Sequence, residues 1–93
     1  MKNFPALIFL ALFTPVATAG LVEDAPKACA YCEAWNTPQE PFNVYGNTWY
    51  VGTQGLASLL VVTDAGLILI DGALAQSAHL IVANIRQIGY DPL

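Results

Sequence analysis

The strongest constraint on the fold is a pair of apolar runs that do not alternate with polar residues. Leu59–Val62 and Leu67–Ile70 are each aliphatic throughout, and Asp64–Gly66 between them has the composition of a tight turn. A strand with one face in water alternates in polarity, whereas a strand that is apolar throughout is covered on both faces. The two runs therefore predict a sheet in a layered α/β architecture.

A second pair of strands precedes these runs. Phe42–Tyr45 and Thr48–Gly52 are rich in aromatic and β-branched residues, alternate in part, and are separated by Gly46–Asn47. We therefore predict two antiparallel hairpins, over Phe42–Gly52 and Leu56–Asp71.

One amphipathic helix follows the hairpins. Its apolar stripe has helical spacing and consists of Ala78, Ile81, Val82, Ile85 and Ile88. Gly89 is placed to end the helix. The pattern predicts a helix that starts near Gln76, ends near Gly89 and covers one face of the sheet.

Residues 1–19 have the pattern of a secretory signal peptide. Lys2 is followed by an apolar core at Phe4–Phe13 and by small residues at Ala17–Ala19. The alternative is a membrane anchor, but the core is shorter than the roughly 20 residues that a helical span needs. We predict cleavage after Ala19 and a periplasmic product without membrane attachment.

The charge balance of the remaining chain excludes some partners. Lys27 and Arg86 are its basic residues, whereas all 7 acidic residues of the sequence lie in this part. Nucleic acids and anionic membrane surfaces are bound by clustered Lys and Arg, so neither is a predicted partner.

Residues 20–41 are interpreted as an extended N-terminal arm, because prolines punctuate the segment and no periodicity is present. Cys29 and Cys32 leave three interpretations open: a local disulfide, cysteines that are free or paired elsewhere, and a redox or metal pair. Export permits the disulfide. Trp35 either plugs the domain surface or faces a ligand.

Beyond the arm, the sequence resembles the N-terminal part of secreted class B metallo-β-lactamases of the third subclass. The resemblance runs from about Trp35 to Pro92 and rests on "YGNTWYVGT", "TQGLAS", "LILIDGAL" and "NIRQIGYDP" in that order. It implies an αββα sandwich, of which this chain contributes the antiparallel hairpins and the first covering helix. Residues 42–93 are then the first, truncated part of that domain.

The resemblance also implies zinc chemistry in a longer parent protein. The family binds zinc through an H-x-H-x-D-H motif after the next strand, and a zinc-bound hydroxide attacks the β-lactam amide of the antibiotic. This sequence has a single histidine, His79, within the predicted helix and at no metal position of the family. We therefore expect no catalytic residue, metal ligand or bound cofactor in this chain, and no activity of the chain alone.

Four residues are assigned site roles through the resemblance. Asp71 is expected to accept hydrogen bonds from the zinc-ligand loop and orient it, although it can equally cap backbone amides at its own turn. Trp35, Thr53 and Gln54 are expected at the rim of the substrate groove. Some relatives have a disulfide-bonded cysteine at the position of Gln54, and its absence here favours a local Cys29–Cys32 bond.

A different class of function remains as the alternative. A small, complete exported module could bind or inhibit a partner through the open edges of its sheet. The reading frame beyond Leu93 distinguishes the two, because a hydrolase requires the metal-ligand motif.

Overall fold

The computed structural model describes residues 22–93, so the predicted signal peptide lies outside the described residues. The elements, in chain order, are helix α1 (Cys32–Trp35), strands β1 (Phe42–Tyr45), β2 (Thr48–Tyr50), β3 (Leu59–Thr63) and β4 (Gly66–Ile70), a 3₁₀ turn (Ala75–Ser77) and helix α2 (Ala78–Gln87).

The four strands form one antiparallel sheet in the order β1-β2-β3-β4. The two predicted hairpins are therefore confirmed, and they pair with each other through β2 and β3. Gly46 adopts a φ of 55° at the first hairpin turn, a conformation that glycine reaches without a steric penalty. The predicted helix is also confirmed, with a 3₁₀ turn over its first three residues.

Helix α2 covers one face of the sheet. Ile81 and Ile85 pack against Val51 and Leu60, and these four side chains form the buried apolar cluster. Val82 and Ile88 of the predicted stripe are partly buried, but Ala78 is exposed. It lies in the first turn of α2 and lines an open surface cleft, so the stripe begins one turn later than predicted.

The opposite face of the sheet remains accessible within the described residues. Ile68 and Ile70 are 52% and 50% exposed. Their cross-strand partners are Val61 and Leu59, so the four aliphatic side chains lie on the same side of the β3–β4 hairpin. Strands β3 and β4 thus have one apolar face covered by α2 and one apolar face that is accessible in residues 22–93.

The arm is not irregular throughout, which corrects the sequence interpretation. One helical turn forms at Cys32–Trp35, with Trp35 N donating to the Tyr31 carbonyl at 2.8 Å and Asn36 N donating to the Cys32 carbonyl at 3.0 Å. The Thr37 hydroxyl also donates to the Ala34 carbonyl at 2.9 Å and caps the end of the turn. These local hydrogen bonds are sufficient to form one helical turn in a segment whose sequence has no helical periodicity.

Ser58 provides a stability prediction. Its hydroxyl is fully buried and has no hydrogen-bond partner among residues 22–93. Because an unsatisfied buried hydroxyl carries an uncompensated desolvation penalty, we expect Ser58→Ala to raise the free energy of unfolding of the purified chain by about 1 kcal/mol. Urea denaturation followed by circular dichroism measures this change. Thr53→Val is the control, since the buried Thr53 hydroxyl is hydrogen-bonded and its loss should destabilise.

Candidate functional site

The loop after β4 contains the backbone conformations that are least usual for their residue types. Asp71 and Ala73 have φ values of 70° and 59°, in the left-handed region that few residues other than glycine occupy. The Asp71 carboxylate accepts a hydrogen bond from Ala73 N at 2.8 Å. Asp71 therefore caps the turn that joins β4 to α2, while its side chain stays exposed. Left-handed backbone at two such positions costs free energy, which motivates a functional hypothesis for this loop.

Trp35 lies at the end of α1 with part of its side chain in solvent. It is 39% exposed, and its ring centroid is 5.8 Å from that of Tyr31, one helical turn earlier. Its inner side rests directly on Gly55 in the turn between β2 and β3. One side of Trp35 thus packs on the turn and the other faces solvent, an arrangement that fits both predicted roles, a plug on the domain surface and a ligand-facing side chain.

Thr53 and Gln54 occupy the same turn but differ in exposure. Thr53 is fully buried, and its hydroxyl donates to the Trp35 carbonyl. Gln54 is exposed; its backbone N donates to the Thr37 carbonyl at 2.9 Å and its side-chain amide donates to the Pro38 carbonyl at 3.2 Å. Of the three residues expected at a groove rim, Trp35 and Gln54 present surface to solvent.

A polar joint that the sequence analysis missed connects the arm to the start of α2. The Ser77 hydroxyl donates to Asn36 Oδ1 at 2.6 Å, and Leu74 N donates to the Ser77 oxygen at 3.1 Å. Asn36 Nδ2 completes the joint by donating to the Gln76 carbonyl at 3.3 Å. Serine just before a helix is a familiar capping signal, but nothing local identifies Asn36 as its partner.

Comparison with solved structures relates this arrangement to known enzymes. The Rm3 metallo-β-lactamase is 48% identical, with a TM-score of 0.65 over 70% of this chain and 24% of its own. A B3 metallo-β-lactamase with an active-site glutamic acid is 46% identical, with a TM-score of 0.69 over 73% and 26% of the two chains. MIM-1 from Novosphingobium pentaromativorans is 55% identical, with a TM-score of 0.61 over 62% and 21%.

The chain carries part of the subclass B3 metallo-β-lactamase fold. It spans about a quarter of the length of the solved structures that it matches. No protein-family profile matches it. The family resemblance drawn from the sequence motifs is confirmed, as is the fold class that it implied.

Metallo-β-lactamases hold zinc between side chains that converge on one point. No three His, Cys, Asp or Glu side chains converge between residues 22 and 93. Cys29 and Cys32 are joined in a disulfide with a Cα–Cα distance of 5.1 Å, so neither offers a thiolate. His79 is exposed in the first turn of α2. These residues do not fit a zinc site on their own, because a catalytic zinc takes about three protein ligands at one point.

Between positions 22 and 93 the structure contains no helix with the length and apolar character needed to cross a bilayer.

Proposed function

We propose that this chain is the N-terminal part of an exported, zinc-dependent β-lactamase that hydrolyses the β-lactam amide of antibiotics. The observation that carries the proposal is identity of 44–55% to subclass B3 enzymes, together with a shared strand and helix arrangement. Sequence identity at this level supports a shared function as well as a shared fold. The binding-module alternative has no comparable support.

The proposed metal ligands lie outside this chain, since the residues described above do not fit zinc. What this chain contributes is the support around such a site. We propose that Asp71, directly after the edge strand β4, orients the ligand loop through its exposed carboxylate oxygen. The Asp71–Ala73 hydrogen bond supports this role, because it holds the carboxylate in one place at the sheet edge.

We further propose that Trp35 and Gln54 form one rim of the substrate groove. Both residues are exposed, and they lie close together because backbone hydrogen bonds join the end of α1 to the turn between β2 and β3. A half-exposed indole offers a large flat surface to an apolar substituent at little cost in side-chain entropy.

Export to the periplasm is proposed from residues 1–19, whose composition matches a signal peptide. Mass spectrometry of material from the periplasm of a Gram-negative host should find a chain that begins at Gly20. Recovery of the intact Met1 terminus from that compartment would contradict the proposal.

The main experiment compares the chain with its longer parent. The reading frame beyond Leu93 is sequenced and expressed, and both proteins are assayed for nitrocefin hydrolysis and for zinc retained after dialysis. We expect chelator-sensitive hydrolysis from the longer protein and neither activity nor stoichiometric zinc from residues 1–93. A longer protein that contains an H-x-H-x-D-H segment and retains zinc, but leaves nitrocefin intact, would overturn the proposed substrate class.

A further inference from the structure

The backbone of Trp35 is held by the turn that contains Thr53 and Gly55. Gly55 N donates to the Trp35 carbonyl at 3.2 Å, and the Thr53 hydroxyl donates to the same oxygen. Thr53 is fully buried, and its hydroxyl also accepts a hydrogen bond from Leu56 N at 3.3 Å, so it is not offered to a ligand. Two donors on one carbonyl fix the end of α1 against the sheet.

Gly55 is required at this contact for space rather than for backbone conformation. A Cβ atom at position 55 would lie 2.5 Å from Trp35 Cα and 2.7 Å from Trp35 Cδ1. Gly55 is not among the glycines with positive φ, and the three atoms nearest to an added Cβ all belong to Trp35. The contact therefore involves the backbone of Trp35 as well as its side chain.

Asn36 secures the other side of the same unit. It exchanges hydrogen bonds with Ser77 Oγ and the Gln76 carbonyl at the start of α2. Hydrogen bonds thus hold the chain at both Trp35 and Asn36, yet Trp35 stays 39% exposed. Such tight support of an exposed aromatic suggests that its position matters beyond packing.

We propose that Thr53 and Gly55 are positioning residues that set the orientation of Trp35 at the proposed groove rim. This inference rests on the proposed function, because it assigns the roles within the groove rim. It reassigns Thr53 from substrate contact to support.

The positioning step is tested without any activity measurement. The purified, oxidised chain is labelled with 5-fluorotryptophan, and its ¹⁹F resonances are assigned with Trp35→Phe and Trp49→Phe. We expect Gly55→Ala and Thr53→Val to move the Trp35 resonance towards its position in denaturant, and to leave that of Trp49, which packs against the core, in place. Thr53→Ser, which keeps the hydroxyl, should restore the original Trp35 resonance.

Gly72→Ala is the matched glycine control, because a Cβ at position 72 meets nothing within 4 Å. If Gly55→Ala moves both resonances, that variant has lost its fold. The positioning role is then judged from Thr53→Val and Thr53→Ser alone. A Trp35 resonance that is the same in Thr53→Val, Thr53→Ser and the parent chain would overturn the positioning role.

The contact with substrate is tested separately in the longer enzyme. Thr53→Val should raise KM for nitrocefin about fivefold with kcat unchanged, the factor expected for one ordinary hydrogen bond. Trp35→Ala should raise KM at least as much. If the ¹⁹F result is as expected but Trp35→Ala leaves KM unchanged, Thr53 and Gly55 do position Trp35, but Trp35 does not contact the substrate and the proposed groove rim is wrong. An unchanged KM in Thr53→Val, with Trp35→Ala impaired, would overturn the functional part of the inference.

Discussion

If Asp71 orients the zinc-ligand loop as proposed, Asp71→Asn is expected to lower the zinc affinity of the proposed longer enzyme by roughly 10- to 100-fold, the usual range for outer-sphere partners of metal ligands. Asparagine keeps an Oδ1 acceptor for Ala73 N and tolerates the φ of 70° found at this position. The substitution therefore preserves the local turn and removes only the negative charge. Zinc titration against a chromophoric chelator measures the change, and urea denaturation verifies that the fold is retained.

Asp71→Ala separates the two roles of this residue. Alanine removes the cap as well as the charge, so it should lower both zinc affinity and the free energy of unfolding. Asp64→Asn is the control, since Asp64 is exposed in the β3–β4 turn at the other end of the hairpin. Wild-type zinc affinity in Asp71→Asn would show that Asp71 serves its own turn alone.

Gly52→Ala is expected to destabilise the purified chain by about 4 kcal/mol, at the upper end of single-residue effects. A Cβ at this position would lie 2.5 Å from Ser58 N and even closer to the Leu56 carbonyl oxygen. Both are backbone atoms, so no side-chain rotation relieves the collision. The strand-connecting turn must open, and the bonds between Val51 and Ser58 and between Thr53 and Leu56 are then lost.

Urea denaturation of Gly52→Ala beside Gly72→Ala tests this expectation. Both changes add one methyl group, but only the first meets backbone. Equal unfolding midpoints would mean that the turn between β2 and β3 is less closely packed than the structure describes.

The elements that could be predicted from the sequence are those encoded by local patterns. Apolar runs and turn residues are sufficient for the two hairpins, and a 3.6-residue period is sufficient for α2. The short helix α1 was missed because it depends on individual hydrogen bonds, such as that from Thr37 to Ala34, which leave no periodic trace. Four residues are also too few to show a helical period.

The candidate site was less predictable because its contacts join distant parts of the chain. Asn36 and Ser77 are 41 residues apart, and neither residue type specifies a partner. The requirement for glycine at position 55 arises only when Trp35 is placed against it. The assignment of Thr53 to the rim came from the family resemblance, which gives a position along the chain but not its burial.

The way in which the arm is attached has a consequence for how the sequence can vary. Two side-chain amides of the helical segment bind arm backbone: Gln76 contacts the N and O atoms of Lys27, and Asn84 donates to the Gln39 carbonyl. Any residue type at positions 27 and 39 offers the same carbonyl oxygen. Among homologous genes, the arm should therefore diverge quickly at those positions, whereas glutamine at 76 and asparagine at 84 should persist.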